Sequence, residues 1–122
     1  VFSTCGVMAS LESFKKTNMK SIRERSFILT EYFRRLFDQN DALKDQIKII
    51  TPKELHRSGA QISLAFKDRE ATIHAFNELT RLGIVVDRRE PDIIRLTFTG
   101  LYNSHCDVFH TIESLKILLG SQ

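Results

Sequence analysis

Apolar residues return at helical spacing twice within the first forty positions. Val7, Met8, Leu11 and Phe14 fall along one face of residues 6–14, and the spacing predicts a first helix there. Asn18 interrupts it. Met19, Ile22, Leu29, Tyr32, Phe33, Leu36 and Phe37, together with Arg23 and Ser26, then keep a 3.6-residue rhythm. This predicts a second helix ending near residues 38–41, with Lys20, Glu24, Glu31, Arg34 and Arg35 left largely to solvent. Gln39, Asn40 and Asp41 favour a turn, so a loop is expected before the short run 47–50, which Pro52 closes.

Past a turn at Ser58-Gly59, residues 61–66 alternate polar and apolar and predict a strand with Ile62, Leu64 and Phe66 facing inward. Asp68 is placed to cap a helix carrying Ile73, Phe76, Leu79 and Leu82, and Gly83 to end it in left-handed backbone. Strands are predicted at 84–86 and 93–98, on either side of a Pro91-Asp92 turn. The last helix opens at Ser104 with Asp107 three residues on, a capping-box-like pair, and Val108, Ile112, Leu115 and Leu119 stripe one face. Strands and helices mix without the strict alternation of a parallel sheet. The expected fold class is therefore α+β, a small, mainly antiparallel sheet with helices packed on one face.

A chain of 122 residues suits a single domain, 1–122, with its own core. Apolar residues at 42% and charged residues at 27% exclude a disordered chain. No apolar run approaches the roughly 20 residues of a spanning helix, so a soluble protein with no membrane partner is expected. Cys5 and Cys106 are too few for a disulfide scaffold and fit a reducing, cytoplasmic setting. The chain opens Val1-Phe2-Ser3-Thr4, without an initiator methionine or a signal pattern, which suggests a piece of something longer.

The net charge of +3 comes from 18 basic and 15 acidic residues that are interspersed. Runs at 15–16, 23–25 and 34–35 have acids such as Glu24, Glu31 and Asp38 close in sequence. They read as helix surfaces with short-range ion pairs rather than as a phosphate-contacting stripe. Strand 61–66 lacks the glycine and the stacking aromatics of an RNA-recognition strand, so no nucleic-acid partner is expected.

The densest group of reactive side chains is His105, Cys106, Asp107 and His110. Cys106 and His110 share a helical face, but a closed zinc site needs four ligands and no partner pair is evident, so no metal is assigned. A Cys-His nucleophile lacks an orienting third group, and Cys106 reads as an ordinary buried or half-buried cysteine. The five glycines are isolated, with no phosphate loop and no dinucleotide fingerprint. Arg95 is more informative, because it lies in a strand otherwise made of Ile93, Ile94 and Leu96. A guanidinium there calls for a carboxylate or phosphate. The partner could be an internal acid, namely Asp87, Glu90 or Asp92, or an external ligand, or Arg95 could simply face outward; strand alternation alone leaves the choice open.

The stretch Gly83-Ile84-Val85-Val86-Asp87-Arg88-Arg89-Glu90-Pro91-Asp92-Ile93-Ile94-Arg95, followed by Leu101-Tyr102-Asn103-Ser104, resembles the carboxy-terminal signature of kynureninases. Ala9-Ser10-Leu11-Glu12, Met19-Lys20-Ser21-Ile22-Arg23 and Leu29-Thr30-Glu31-Tyr32 resemble that family's helices leading into its small domain. Ile50-Thr51-Pro52 and residues 58–66 resemble its first strands, so the likeness spans essentially the whole chain in order. The resemblance implies the small domain of a fold-type I pyridoxal-phosphate enzyme that hydrolyses L-kynurenine, or its 3-hydroxy form, to anthranilate or 3-hydroxyanthranilate plus L-alanine, in tryptophan catabolism. It implies that Arg95 binds the substrate α-carboxylate, and that the Schiff-base lysine and the cofactor-holding groups belong to a large domain missing from this chain. No cofactor-binding or catalytic residue is therefore assigned here, and the chain alone is not expected to be active. The complete enzyme is implied to be a homodimer. Apolar residues among Val1, Phe2, Val7 and Met8 are expected to lie exposed, where the large domain would cover them.

The chain departs from the family at Thr97-Phe98-Thr99-Gly100, where relatives usually carry an alanine-proline and a second proline. Loss of two φ-fixing residues is expected to loosen the segment that positions Arg95. Two other readings remain: an autonomous α+β interaction module, or the small domain of another fold-type I enzyme such as a cysteine desulfurase.

Overall fold

A computed structural model describes residues 1–120. Helix α1 runs over Phe2–Lys15 and α2 over Met19–Asp38. Asn18 between them does more than interrupt: its side-chain oxygen accepts the Ser21 N–H at 2.9 Å and so starts α2. No residue of α1 is buried, and Val1, Phe2, Val7 and Met8 are all exposed, as expected from the sequence.

Along α2, Ser26, Leu29, Thr30, Phe33 and Phe37 are buried. Arg34, expected in solvent, is buried with them. Its Nη2 donates to the Thr51 and Pro52 carbonyls at 3.0 and 2.9 Å. Two charge-assisted bonds replace the water that the guanidinium gives up, and the side chain ties α2 to the segment that follows β1.

The loop expected after α2 instead contains a short helix, α3 (Asp41–Gln46). Asn40 caps it by accepting the Leu43 N–H at 3.1 Å, and Leu43 is fully buried. Six residues with one core side chain carry too little periodicity to announce a helix.

The sheet comprises β1 (Ile47–Ile49), β2 (Gln61–Phe66), β3 (Asp87–Arg89) and β4 (Ile93–Thr97) in the order β1-β2-β4-β3, antiparallel throughout. Ile62 lies opposite Leu96, Leu64 opposite both Ile49 and Ile94, and Phe66 opposite Ile47. Ile62, Leu64, Phe66, Ile94 and Leu96 are buried, so period-two alternation fills one face with aliphatic pairs. Helix α4 (Arg69–Arg81) packs on β2 and β4, while α5 (His105–Gly120) packs on α2, α3 and α4. The α+β arrangement with helices on one face is as the sequence implied. Val108, Ile112, Leu115 and Leu119 form the inner face of α5, and Phe33 and Phe98 meet at 5.3 Å between ring centroids.

The buried face of α4 is rotated from the expected one. Thr72, Ala75 and Leu79 are buried, Ile73 and Phe76 only partly so, and Leu82 is exposed. Thr72 tolerates complete burial because its hydroxyl donates to the Asp68 carbonyl at 2.7 Å. Gly83 does end the helix in left-handed backbone, at φ 78°. The strand expected at 84–86 is absent. The Ile84 N–H is still bonded to the Leu79 carbonyl, Val85 points into solvent, and the ladder begins only at Asp87. The outer strand is therefore Asp87-Arg88-Arg89, whose charges suit a free sheet edge.

The start of α5 follows the expected capping box. The Ser104 N–H donates to Asp107 at 2.7 Å, and the Asp107 N–H reaches the Ser104 hydroxyl at 3.4 Å. The Ser104 backbone N–H is the main cause that holds the Asp107 carboxyl below its ordinary pKa. A lowered folded-state value means that the stabilisation is present above the ordinary carboxylate range and is lost as pH falls through the lowered value. Asp107→Ala should cost about 1 kcal/mol at neutral pH, a fall of about 4 °C in Tm. In melts of both proteins across pH, the difference should shrink on the acid side; a constant difference would assign the effect to packing instead.

Candidate functional site

Strand alternation puts Ile94 and Leu96 into the core and turns Arg95 away from it. Its neighbours in register are Ser63 on β2 and Asp87 on β3. Arg95 Nε donates to Asp87 Oδ2 at 2.6 Å, and Nη2 donates to the same oxygen. Arg89 Nε donates to it as well, at 3.0 Å. One carboxylate thus meets two guanidinium groups. Arg95 first, and Arg89 after it, hold the Asp87 carboxyl below its ordinary pKa.

Of the internal partners that the sequence allowed for Arg95, only Asp87 is engaged. Glu90 binds Arg69 at 2.9 Å and Arg88 at 2.5 Å, and these two, Arg69 foremost, lower its pKa. Asp92 contributes its backbone carbonyl, which accepts from the Phe66 N–H at 2.9 Å.

The Arg95 side chain retains 29% exposure and lines an open cleft of about 660 Å³. Asp87 and Val86 form one wall, Tyr102 and Asn103 another, and Cys106 and His110 of α5 a third. Cys106 is exposed rather than buried or half-buried, because its position lies off the Val108–Ile112–Leu115 face. Asp107 is engaged in the helix cap. His105 instead packs against Tyr32, 5.1 Å between ring centroids. Among the described residues, no group of three or more His, Cys, Asp or Glu side chains is arranged to hold a metal ion.

The segment after β4, which its missing prolines were expected to loosen, is hydrogen-bonded to Ala60, across its own turn and to α2. Phe98 N–H donates to the Ala60 carbonyl at 3.0 Å, Thr99 N–H to Asn103 Oδ1 at 2.9 Å, and Gly100 N–H to Ser26 Oγ at 2.8 Å. Arg25 Nη2 adds a bond to the Asn103 carbonyl at 3.1 Å. Hydrogen bonds to α2 and across the turn restrict the backbone where ring closure does not. The same contacts correct the reading of the basic runs as ion-paired helix surface. Lys15 does pair with Glu12 at 2.6 Å. Arg23 and Arg25, however, bind loop carbonyls, Arg23 those of Leu55 and Ser58. Tyr102, Asn103 and His110 were singled out in the sequence, the first two in the signature after Arg95 and the third beside Cys106, but that they line one cleft with Arg95 appears only when β4 and α5 are packed together.

A family model described as the kynureninase C-terminal domain matches residues 22–115. The kynureninase of Mus musculus is 35% identical over 127 residues, covering 99% of this chain and 27% of that protein. That of Homo sapiens is 34% identical with the same coverage, and that of Stenotrophomonas maltophilia is 37% identical over 92% of this chain and 26% of the relative. The chain thus spans about a quarter of the length of these relatives. Among solved structures, a NifS-like protein shares the fold with a TM-score of 0.61 at 20% identity, over 81% of this chain and 28% of that one.

Proposed function

The chain belongs to the kynureninase family, matching its carboxy-terminal domain, and from that premise we propose that it is the small domain of a pyridoxal-phosphate-dependent hydrolase acting on L-kynurenine or 3-hydroxykynurenine. The observation that carries this reading is the placement of Arg95. It lines an open cleft, with Nη1 making no hydrogen bond among the described residues. That arm is available to a substrate α-carboxylate. Binding there would orient the amino acid so that water can cleave it to anthranilate, or its 3-hydroxy form, and L-alanine.

Pyridoxal phosphate does not fit this cleft by itself. Its aldehyde needs a lysine amine, and no lysine lines the walls. The cofactor, with the proton-transfer groups, is assigned to the three-quarters of the protein represented in the relatives but not here. The exposed apolar residues of α1 support a partner domain on that side, since a stripe of this kind is normally covered. A homodimer and a cytoplasmic setting belong to the same proposal and are supported by the family likeness alone. Among the described residues, no helix is long and apolar enough to cross a membrane.

The full-length protein, supplied with L-kynurenine, should release alanine. Borohydride reduction should fix a stoichiometric pyridoxyl group on a single lysine outside residues 1–122. The 122-residue chain alone should show neither property. Absence of kynurenine hydrolysis in the cofactor-loaded protein, or a stoichiometric pyridoxyl group on one lysine within residues 1–122, would refute the assignment.

A further inference from the structure

We propose that Asp87 is the positioning residue that fixes the orientation in which Arg95 meets a carboxylate ligand. The inference rests on the role assigned to Arg95 under Proposed function. A guanidinium offers two edges for a two-point contact, one made of Nε and an Nη, the other of the two Nη groups. Asp87 Oδ2 occupies the first edge, accepting from Nε and Nη2. Only the end-on edge, with Nη1, remains for an incoming carboxylate. The approach direction is thereby restricted to one.

The register explains why Asp87 can do this. Asp87 lies directly opposite Arg95 in an antiparallel pair, on the same face of the sheet, so the two side chains leave the backbone side by side. A long, flexible arginine is pinned along its edge rather than at its tip. Both side chains remain partly exposed, 29% for Arg95 and 47% for Asp87, and an ion pair in that setting contributes little to folding. Orientation is then the larger consequence of the pair.

Asp87 also leaves the site attractive to anions. Its single negative charge is shared by Arg95 and Arg89, so the three-residue group carries a net positive charge with Asp87 ionised. The lowered carboxyl pKa keeps Asp87 in that state at neutral pH. A carboxylate entering the cleft meets a preoriented arginine whose charge is not cancelled.

The test uses the full-length, cofactor-loaded protein with Asp87→Asn and Asp87→Ala, alone and combined with Arg95→Ala. The probes are L-kynurenine and its decarboxylated amine, the latter as a competitive inhibitor that offers no carboxylate. Each Asp87 variant should raise KM for L-kynurenine by roughly tenfold with kcat changed much less, the signature of lost binding common to ground and transition states. The inhibition constant of the amine should stay within about twofold, and Asp87→Asn should add nothing in the Arg95→Ala background, because the two residues act as a unit. An unchanged KM in both Asp87 variants beside an impaired Arg95→Ala would overturn the positioning role while leaving Arg95 as the carboxylate ligand. A lowered KM would overturn it too, by showing that Asp87 competes with substrate. Equal losses for substrate and amine would mark general damage to the site and would likewise overturn the positioning role. Normal kinetics in Arg95→Ala would remove the reading of Arg95 and this inference together.

Discussion

Arg95→Ala in the full-length protein is expected to lower kcat/KM for L-kynurenine by at least about tenfold and up to several thousandfold, corresponding to ~2 to 5 kcal/mol for losing one partner of a desolvated, hydrogen-bonded charge pair. The range reflects how dry the cleft becomes when the rest of the protein covers it, since Coulomb interactions strengthen as water leaves. Arg95→Lys keeps the charge but replaces the planar fork with a point donor. A lysine amine cannot satisfy Asp87 along one edge and a carboxylate along the other, so this variant should also be impaired. Stability should respond weakly. The Asp87–Arg95 pair is partly exposed, and pairs of that kind add little to folding, so Tm should fall by no more than about a few degrees. Arg89 remains to neutralise Asp87 in either variant. Kinetic constants and melts on the same preparations decide the matter: a large fall in Tm with near-normal kcat/KM would make Arg95 a structural strut.

Gly100→Ala should be the most damaging of the small substitutions for folding. A Cβ at this position would lie 2.5 Å from the Ile22 carbonyl oxygen, 3.1 Å from Arg25 Cβ and 3.2 Å from Ser26 Oγ. The first of these atoms belongs to helical backbone and cannot swing aside, so either α2 or the segment after β4 must move. Overpacking of this kind costs about 1 to 3 kcal/mol. Movement also breaks the buried bond from Gly100 N–H to Ser26 Oγ, adding about 1 to 3 kcal/mol for a donor left without a partner. Against the ~5 to 15 kcal/mol that holds an ordinary domain together, the sum is a large share. Gly59→Ala is the control, because a Cβ there meets nothing within 4 Å and its φ is not positive, so its stability should change by about 0.5 kcal/mol or less. Equal melting temperatures for the two variants would show that the close approach of α2 to Gly100 is not a constraint. In the full-length protein, displacement of the same segment should also raise KM, since Tyr102 and Asn103 form a wall of the Arg95 cleft.

Periodicity alone determined the elements that bury a full stripe. Residues 19–38, 61–66 and 104–119 each repeat an apolar position often enough that only one secondary structure can satisfy them, and α2, β2 and α5 formed where expected. Local chemistry was equally legible where it is self-contained, as in the Asp68 cap, the left-handed Gly83 and the Ser104–Asp107 box. The motif leading to Arg95 marked the candidate site, but alternation could not say which face Arg95 takes or which acid it meets. The ladder register decided that by setting Asp87 opposite it. Burial of Arg34 and Thr72 escaped the pattern because a polar side chain reads as surface until its acceptors are in place, and the Thr51 and Pro52 carbonyls reach Arg34 only through the packing of the β1–β2 connection on α2. Residues 84–86 have strand composition yet pair with nothing, since a strand exists only where a neighbour offers hydrogen bonds, and β4 offers them to residues 87–89 instead. What the sequence determined by itself was each segment's own preference; which polar groups could be buried, which edge was free and what lines the cleft depended on partners distant in the chain, and only the tertiary structure brought those together.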